Sequence, residues 1–242
     1  MGQTLAELFD DAARGRFPVP DGGVTVLPQP CERDAGVVAF TGQSAVFVDE
    51  DPRWIAETLA SIECDPLAAT LNPRFVTALM DRTDRVGDTV DVLVVADPLP
   101  LPGAGPGNGP GSAPLPVALR EIGDAGHSRV ARALWYREDV RVWTTDGGVL
   151  VLGRGVAGRW EATIEVDEAV RHRGLGRLLA AAARQLVPDG RPVWAQVAPG
   201  NARSIRTFLA AGYRAIGAEM LLLPRESAWL GAARHASGES GQ

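Results

Sequence analysis

The 242-residue chain contains no lysine: all 24 of its basic side chains are arginine, set against 30 acidic ones, for a formal net charge of −6. That balance argues against a general binder of nucleic acid or anionic membrane, because such proteins concentrate basic groups. Without lysine, the chain also has no side-chain amine of its own to be acetylated. Cysteine is nearly missing as well. Cys31 and Cys64 stand far apart, which excludes a disulfide framework or a cysteine-rich zinc site, and both read as buried thiols. No stretch approaches the ~18 apolar residues of a spanning helix. The N-terminus lacks the basic start and apolar core of a secretory signal. Gly2 invites myristoylation, but that motif asks for Ser or Thr where Ala6 stands. On these grounds the protein reads as cytoplasmic, with neither nucleic acid nor membrane as a partner.

What is present is ordinary for a globular protein, with 45% hydrophobic and 22% charged residues. The length allows one or two domains and a sizeable core. Residues 4–14 read as an amphipathic helix, with Leu5, Leu8, Phe9 and Ala12 on one face and Thr4 as a cap. Residues 24–27 read as a short extended piece, and 37–48 as two strands around Thr41-Gly42-Gln43. Pro52 opens a helix through Ile62, and Asn72-Pro73 opens another. Residues 90–96 read as a buried strand. Residues 97–116 hold seven prolines and five glycines; a stretch so poor in apolar pattern reads as a linker. Beyond it, 117–120 and 131–136 are strand candidates. Residues 140–144 and 149–152 flank Asp146-Gly147-Gly148, a strong hairpin signal. Gly153-x-Gly155-x-x-Gly158 matches a dinucleotide fingerprint by spelling. That fingerprint must open a helix, whereas the following residues read as a strand, so the glycines read as a turn.

The centre of the chain is 159–183. Residues 160–166 read as a strand and 171–176 as a basic glycine turn. Leu175, Leu178, Leu179, Ala182 and Leu186 then repeat at helical spacing. A helix that starts after a glycine turn presents unpaired backbone N–H groups and a partial positive charge, which suits a phosphate. Arg171, His172, Arg173 and Arg177 add positive charge around it. A further strand at 193–197 leads to a helix capped by Asn201 and closed by Gly212-Tyr213.

Arg171-x-x-Gly174-x-Gly176, followed at this distance by the Asn201 helix and its Gly212-Tyr213 end, resembles the GNAT superfamily of acyl-CoA-dependent N-acyltransferases across roughly 140–223. The resemblance implies an α/β (α+β) fold around a mixed, mostly antiparallel, splayed sheet flanked by helices. The segmentation it suggests is an N-terminal extension at 1–19, a divergent lobe at 20–96, the linker, a GNAT domain at 117–224 and a tail at 225–242. The lobe reads either as a degenerate copy of the family's opening strand–helix–helix–strand or as an added domain.

The resemblance also implies acetyl-CoA as the acyl donor and a small-molecule or peptide amine as acceptor. Backbone groups of Ile164 and Val166 would pair with the pantetheine arm like an added strand. The pyrophosphate would rest on amides from His172 through Gly174 and Leu175 to Gly176. Asn201 is either a cofactor contact or simply a helix cap. A base or desolvating site must keep the amine neutral, since a free alkyl amine titrates near ~10.4. Glu161 and Glu165, four apart on one strand, share a face and are the base candidates, with Glu219 behind them; a surface role fits them equally. His172 reads better as a phosphate or solvent contact than as a base. Many family members protonate the leaving thiolate with a tyrosine seven residues after the helix-start Asn. Phe208 stands there instead, which leaves open a catalytically weak or inactive acyl-CoA-binding regulatory module. Limited proteolysis checks the segmentation: early cleavage is expected within 97–116, and early cuts confined to other segments would count against a linker there.

Overall fold

The computed structural model describes residues 2–100, 115–123, 133–134 and 136–225. Local chemistry starts the helices. α1 (Leu5–Ala13) opens with a capping box, Thr4 Oγ1 accepting from the Glu7 amide at 3.2 Å while the Thr4 amide donates to Glu7 at 2.8 Å. α2 (Pro52–Ala60) and α3 (Pro73–Thr83) each carry proline at the first position, where no N–H is needed. Asp51 and Asn72 cap them by accepting from the amides of Arg53 and Arg74.

Contacts divide the described chain into two compact units, with boundaries inside α1 after Leu8 and after Arg16, Asp91 and Ile216. In the first unit, β2 (Ala35–Phe40) and β3 (Gln43–Phe47) form the expected hairpin. β1 (Val24–Leu27) pairs parallel with β3. The later half of β11 (Arg214–Pro224) runs antiparallel to β2, with β4 (Arg85–Val86) on its end. Phe75, Val76 and Leu79 of α3 and Ile55 of α2 pack against Val37, Val46 and Leu222 to form this unit's core.

In the second unit the strand order is β5-β10-β9-β8-β7-β6. β5 (Asp91–Ala96) pairs antiparallel with β10 (Val193–Val197). β6 (Arg120–Ile122), β7 (Glu138–Thr145), β8 (Gly148–Arg154) and β9 (Trp160–Val166) form an antiparallel meander. The β9–β10 pair is parallel. The tight β7–β8 turn holds Gly147 at φ 73, and a Cβ there would overlap Val170. α4 (Leu175–Leu186) lays Leu179, Ala180, Ala182 and Ala183 onto Leu150, Leu152, Ala162 and Ala195, and α5 (Ala202–Ala210) adds Phe208 to the same cluster. The result is a mixed α/β fold of mostly antiparallel strands with helices against them.

Several expectations are corrected. Ala133, Leu134 and Tyr136 are helical where a strand was read at 131–136; the remaining positions of that span lie outside the described residues. The strand read at 117–120 instead occupies Arg120–Ile122. β5, assigned from sequence to the N-terminal lobe, is a member of the second unit, because its partner is β10. Cys31 is exposed and Cys64 half-buried, so neither is a buried thiol. Most of the proposed linker, 101–114, and most of the tail, 226–242, lie outside the described residues. Residues 97–100 are fastened to α4, with the Leu99 amide donating to the Arg184 carbonyl at 2.7 Å and Arg184 Nε donating to the Asp97 carbonyl at 2.9 Å. Among the described residues no helix is long and apolar enough to cross a membrane.

Leu179 is fully buried in the second core. Leu179→Ala is expected to cost roughly 2–5 kcal/mol through lost transfer energy and the cavity left behind, read as a lower midpoint in urea unfolding with an unchanged slope.

Candidate active site

The site forms where β9 parts from β10. The two strands pair only at Trp160 with Val193 and at Glu161 with Trp194. Past that point a cleft of about 700 Å³ lies along the second halves of both strands, bounded by the N-terminus of α4 and one face of α5. Side chains alternate along β9. A Cβ built at Gly176 would lie 3.7 Å from Val166 Cγ2 and 3.9 Å from Ile164 Cδ1, so those two side chains face α4. Glu161, Thr163 and Glu165 therefore take the opposite face.

The α4 end of the cleft is suited to an anion. Gly174 adopts φ 84, a left-handed conformation that glycine holds without steric cost. No side chain caps α4. Its first helical bond runs from the Leu178 amide to the Gly174 carbonyl at 3.2 Å, so the amides of Leu175, Gly176 and Arg177 have no partner within the helix. At Gly176 an added Cβ would sit 3.2 Å from Thr207 Cγ2, so a bare backbone is what lets the helix start close against α5. Among the described residues, Arg171, Arg177, Arg203 and Arg206 line the cleft against a single carboxylate, Glu165. α5 differs from α4, because Asn201 accepts from the Ser204 amide at 3.1 Å and supplies its own cap. Asn201 thus acts as a cap while also lining the cleft.

Of the residues singled out from sequence, Ile164, Glu165, Val166, Arg171, His172, Gly174, Leu175, Gly176, Arg177 and Asn201 line this cleft together. Arg173 is exposed and does not form part of its wall. Arg171 Nε donates to the Val166 carbonyl at 3.1 Å, so that arginine pins the turn to the end of β9. The carbonyl expected to meet the pantetheine arm thus already accepts one hydrogen bond.

Glu161 is corrected as a base candidate. It is 2% exposed, is absent from the cleft wall, and binds Arg137 Nε at 2.9 Å and Arg159 Nε at 2.8 Å. Burial pushes its carboxyl pKa up, but the two guanidiniums outweigh that and hold it below the ordinary glutamate value. Room for the carboxylate comes from Gly155, where a Cβ would overlap it. Glu219 is buried in the first unit and is not among the residues that line the cleft. Glu165 alone among these carboxylates lines it. Tyr213 is buried and donates its hydroxyl to the Ala180 carbonyl at 3.1 Å; burial raises its pKa. Its ring meets Phe208 edge-on at 4.9 Å between centroids.

Sequence reasoning missed Arg203, Arg206 and Thr207 on α5, and Thr163 and Gln196 on the strands, all of which line the cleft. For the arginines a signal existed: they lie three apart directly after a helix cap, on the side that later proves to face the glycine turn. Thr163 and Gln196 carried none.

Residues 162–222 match the protein-family model described as FR47-like protein. That family model is GNAT-related, and the match covers about a quarter of the chain. The matched segment begins on β9 where the cleft opens, and it contains the glycine turn, α4, β10 and α5. Two solved structures resemble the chain more distantly. A GCN5-related N-acetyltransferase from Kribbella flavida shares 16% identity over 79% of this chain and 89% of its own, with a TM-score of 0.41. One from Sphaerobacter thermophilus shares 14% over 61% of this chain and 55% of its own, with a TM-score of 0.36. No curated protein matches. The likeness to GNAT proteins therefore rests on the matched segment and its residues.

Because the folded-state pKa of Glu161 lies below its unfolded value, its ionised form stabilises the fold above the unfolded glutamate range near ~4.3. That contribution is lost as pH falls through the lower folded value. Glu161→Gln is expected to cost roughly 3–5 kcal/mol near neutrality by leaving two buried guanidiniums uncompensated. It is also expected to flatten the acid limb of a plot of melting temperature against pH; an unchanged acid limb would remove Glu161 from that role.

Proposed function

We propose that the protein is an acyl-CoA-dependent N-acyltransferase that takes its acyl group from acetyl-CoA and passes it directly to an amine. The observation that carries this reading is the uncapped, glycine-lined start of α4 in an arginine-rich cleft, beside a strand whose pairing with β10 has just ended. An uncapped helix start favours a phosphate group through its amides and its dipole, and Arg177, Arg203 and Arg206 supply the charge a diphosphate needs. The cosubstrate brings an acyl group already activated as a thioester.

In this reading the chain's residues divide the work. The amides of 175–177 and the surrounding arginines hold the diphosphate. The parted edge of β9, from Ile164 to Val166, receives the extended arm. Glu165, on the opposite face of β9, takes a proton from the attacking amine as the carbon–nitrogen bond forms and the carbon–sulfur bond breaks. Phe208 offers no hydroxyl where the family often has one, so the departing sulfur, whose thiol has a pKa near ~8.5, takes its proton from water. The acceptor class is a small molecule or peptide bearing an amine, met inside the cytoplasm.

Phe208 also favours a second reading: a binding module that holds acyl-CoA and turns it over slowly or not at all. The two readings share the cleft and differ in release of free thiol across an amine panel.

Thermal unfolding with acetyl-CoA, CoA and a nucleotide lacking the pantetheine arm tests the shared part. At about 100 times its dissociation constant a ligand adds ~2.7 kcal/mol of stability, so acetyl-CoA and CoA are expected to raise the melting temperature clearly. Gly174→Glu places a carboxylate against the diphosphate and is expected to abolish that shift. No shift in the wild-type protein would overturn both readings.

A further inference from the structure

One polar group on the cleft wall is held from behind by the buried ion cluster. Arg137 is mostly buried, and its guanidinium makes three contacts. Nε donates to Glu161 at 2.9 Å, one terminal nitrogen donates to Thr163 Oγ1 at 2.8 Å, and the other donates to Gln196 Oε1 at 3.4 Å. Gln196 Nε2 in turn donates to Glu161 at 3.0 Å. Thr163 and Gln196 both line the cleft, one from each of the parted strands, just past their last shared pair.

A threonine hydroxyl has one proton to donate and two lone pairs to accept with. Arg137 occupies an accepting position of Thr163, and the donation comes from a full positive charge, which makes the hydroxyl proton a better donor. Among the described residues no acceptor for that proton is found. The cluster behind it holds two arginines and one glutamate, so its formal charge is positive. A donor backed by positive charge at the edge of a cleft suits an oxygen that carries or gains negative charge. It does not suit an attacking amine, whose lone pair it would tie up.

We propose that the Thr163 hydroxyl donates a hydrogen bond to the carbonyl oxygen of the thioester, with Arg137 as the residue that positions it. This deepens the acyltransferase reading and rests on it. Thr163 touches the reacting group; Arg137, Gln196 and Glu161 act through it. A carbonyl oxygen gains charge as an amine adds to its carbon, so a donor already oriented by a buried guanidinium needs no rearrangement at that moment.

The test compares two probes of nearly equal size, acetyl-CoA and S-ethyl-CoA, which has a CH₂ where the thioester has its carbonyl. Dissociation constants are measured by calorimetry for wild type, Thr163→Val and Thr163→Ser. Wild type is expected to prefer acetyl-CoA. Thr163→Val, which keeps the shape and deletes the hydroxyl, is expected to lose about two- to tenfold of that preference, while Thr163→Ser retains it. A purely structural role would weaken both probes equally and leave their ratio unchanged. An unchanged ratio in Thr163→Val, or no preference in wild type, overturns the proposal. Failure of wild type to bind either probe overturns the acyltransferase reading itself, a different outcome.

Discussion

The Glu161 carboxylate between the guanidiniums of Arg137 and Arg159 is the contact on which the arrangement of the cleft depends. It lies at the last residue pair that β9 shares with β10. Removing three charges from water is costly, and such a cluster persists only when each member is well paired. Both carboxylate oxygens are bonded here, and the glycine at 155 clears the space they occupy. From this point the influence spreads in two directions. Arg159 lies over Phe9 of α1 at 4.4 Å and over Trp194 at 5.3 Å, joining the cluster to the aromatic packing of β10. Arg137 reaches Thr163 and Gln196, the first polar residues of the opening.

The other end of the cleft is governed by helix termini. α4 points its first turn at it and α5 lies along it with one face, and the two satisfy their first turns differently. α5 uses the side chain of Asn201. α4 begins on a left-handed glycine with no side-chain cap. An uncapped helix start that is also lined by arginines is a place where a negatively charged group lowers the energy of the folded protein as well as its own. The close approach at Gly176, which brings Thr207 almost into contact with the α4 backbone, keeps the start of α4 near enough to α5 for arginines from both helices to serve one ligand.

Much of this was legible in the sequence, and the reason is distance along the chain. A capping side chain reaches an amide two or three residues away, as Asp51, Asn72 and Asn201 do. A two-residue turn is set by its own glycine, as at Gly147. Amphipathic helices follow from a repeat of three and four. The elements built from such signals, namely α1 to α5, the β2–β3 and β7–β8 hairpins and the glycine turn before α4, appear where the residues indicated. The reading of 131–136 as a strand failed because a short apolar run fits either strand or helix, and neighbouring packing decides between them.

The sequence by itself determined which segments become helix or strand and where a phosphate-seeking turn stands, because those outcomes depend on hydrogen bonds spanning a few residues. Only the tertiary structure decided what the polar residues of the sheet do. Glu161 looked like a possible base on a half-exposed strand. It became the buried partner of Arg137, 24 residues away, and of Arg159, two residues back along the chain. Gln196 meets that same carboxylate across a separation of 35 residues. No local pattern encodes the pairings with Arg137 and Gln196, since they follow from which strands lie side by side and where two of them cease to.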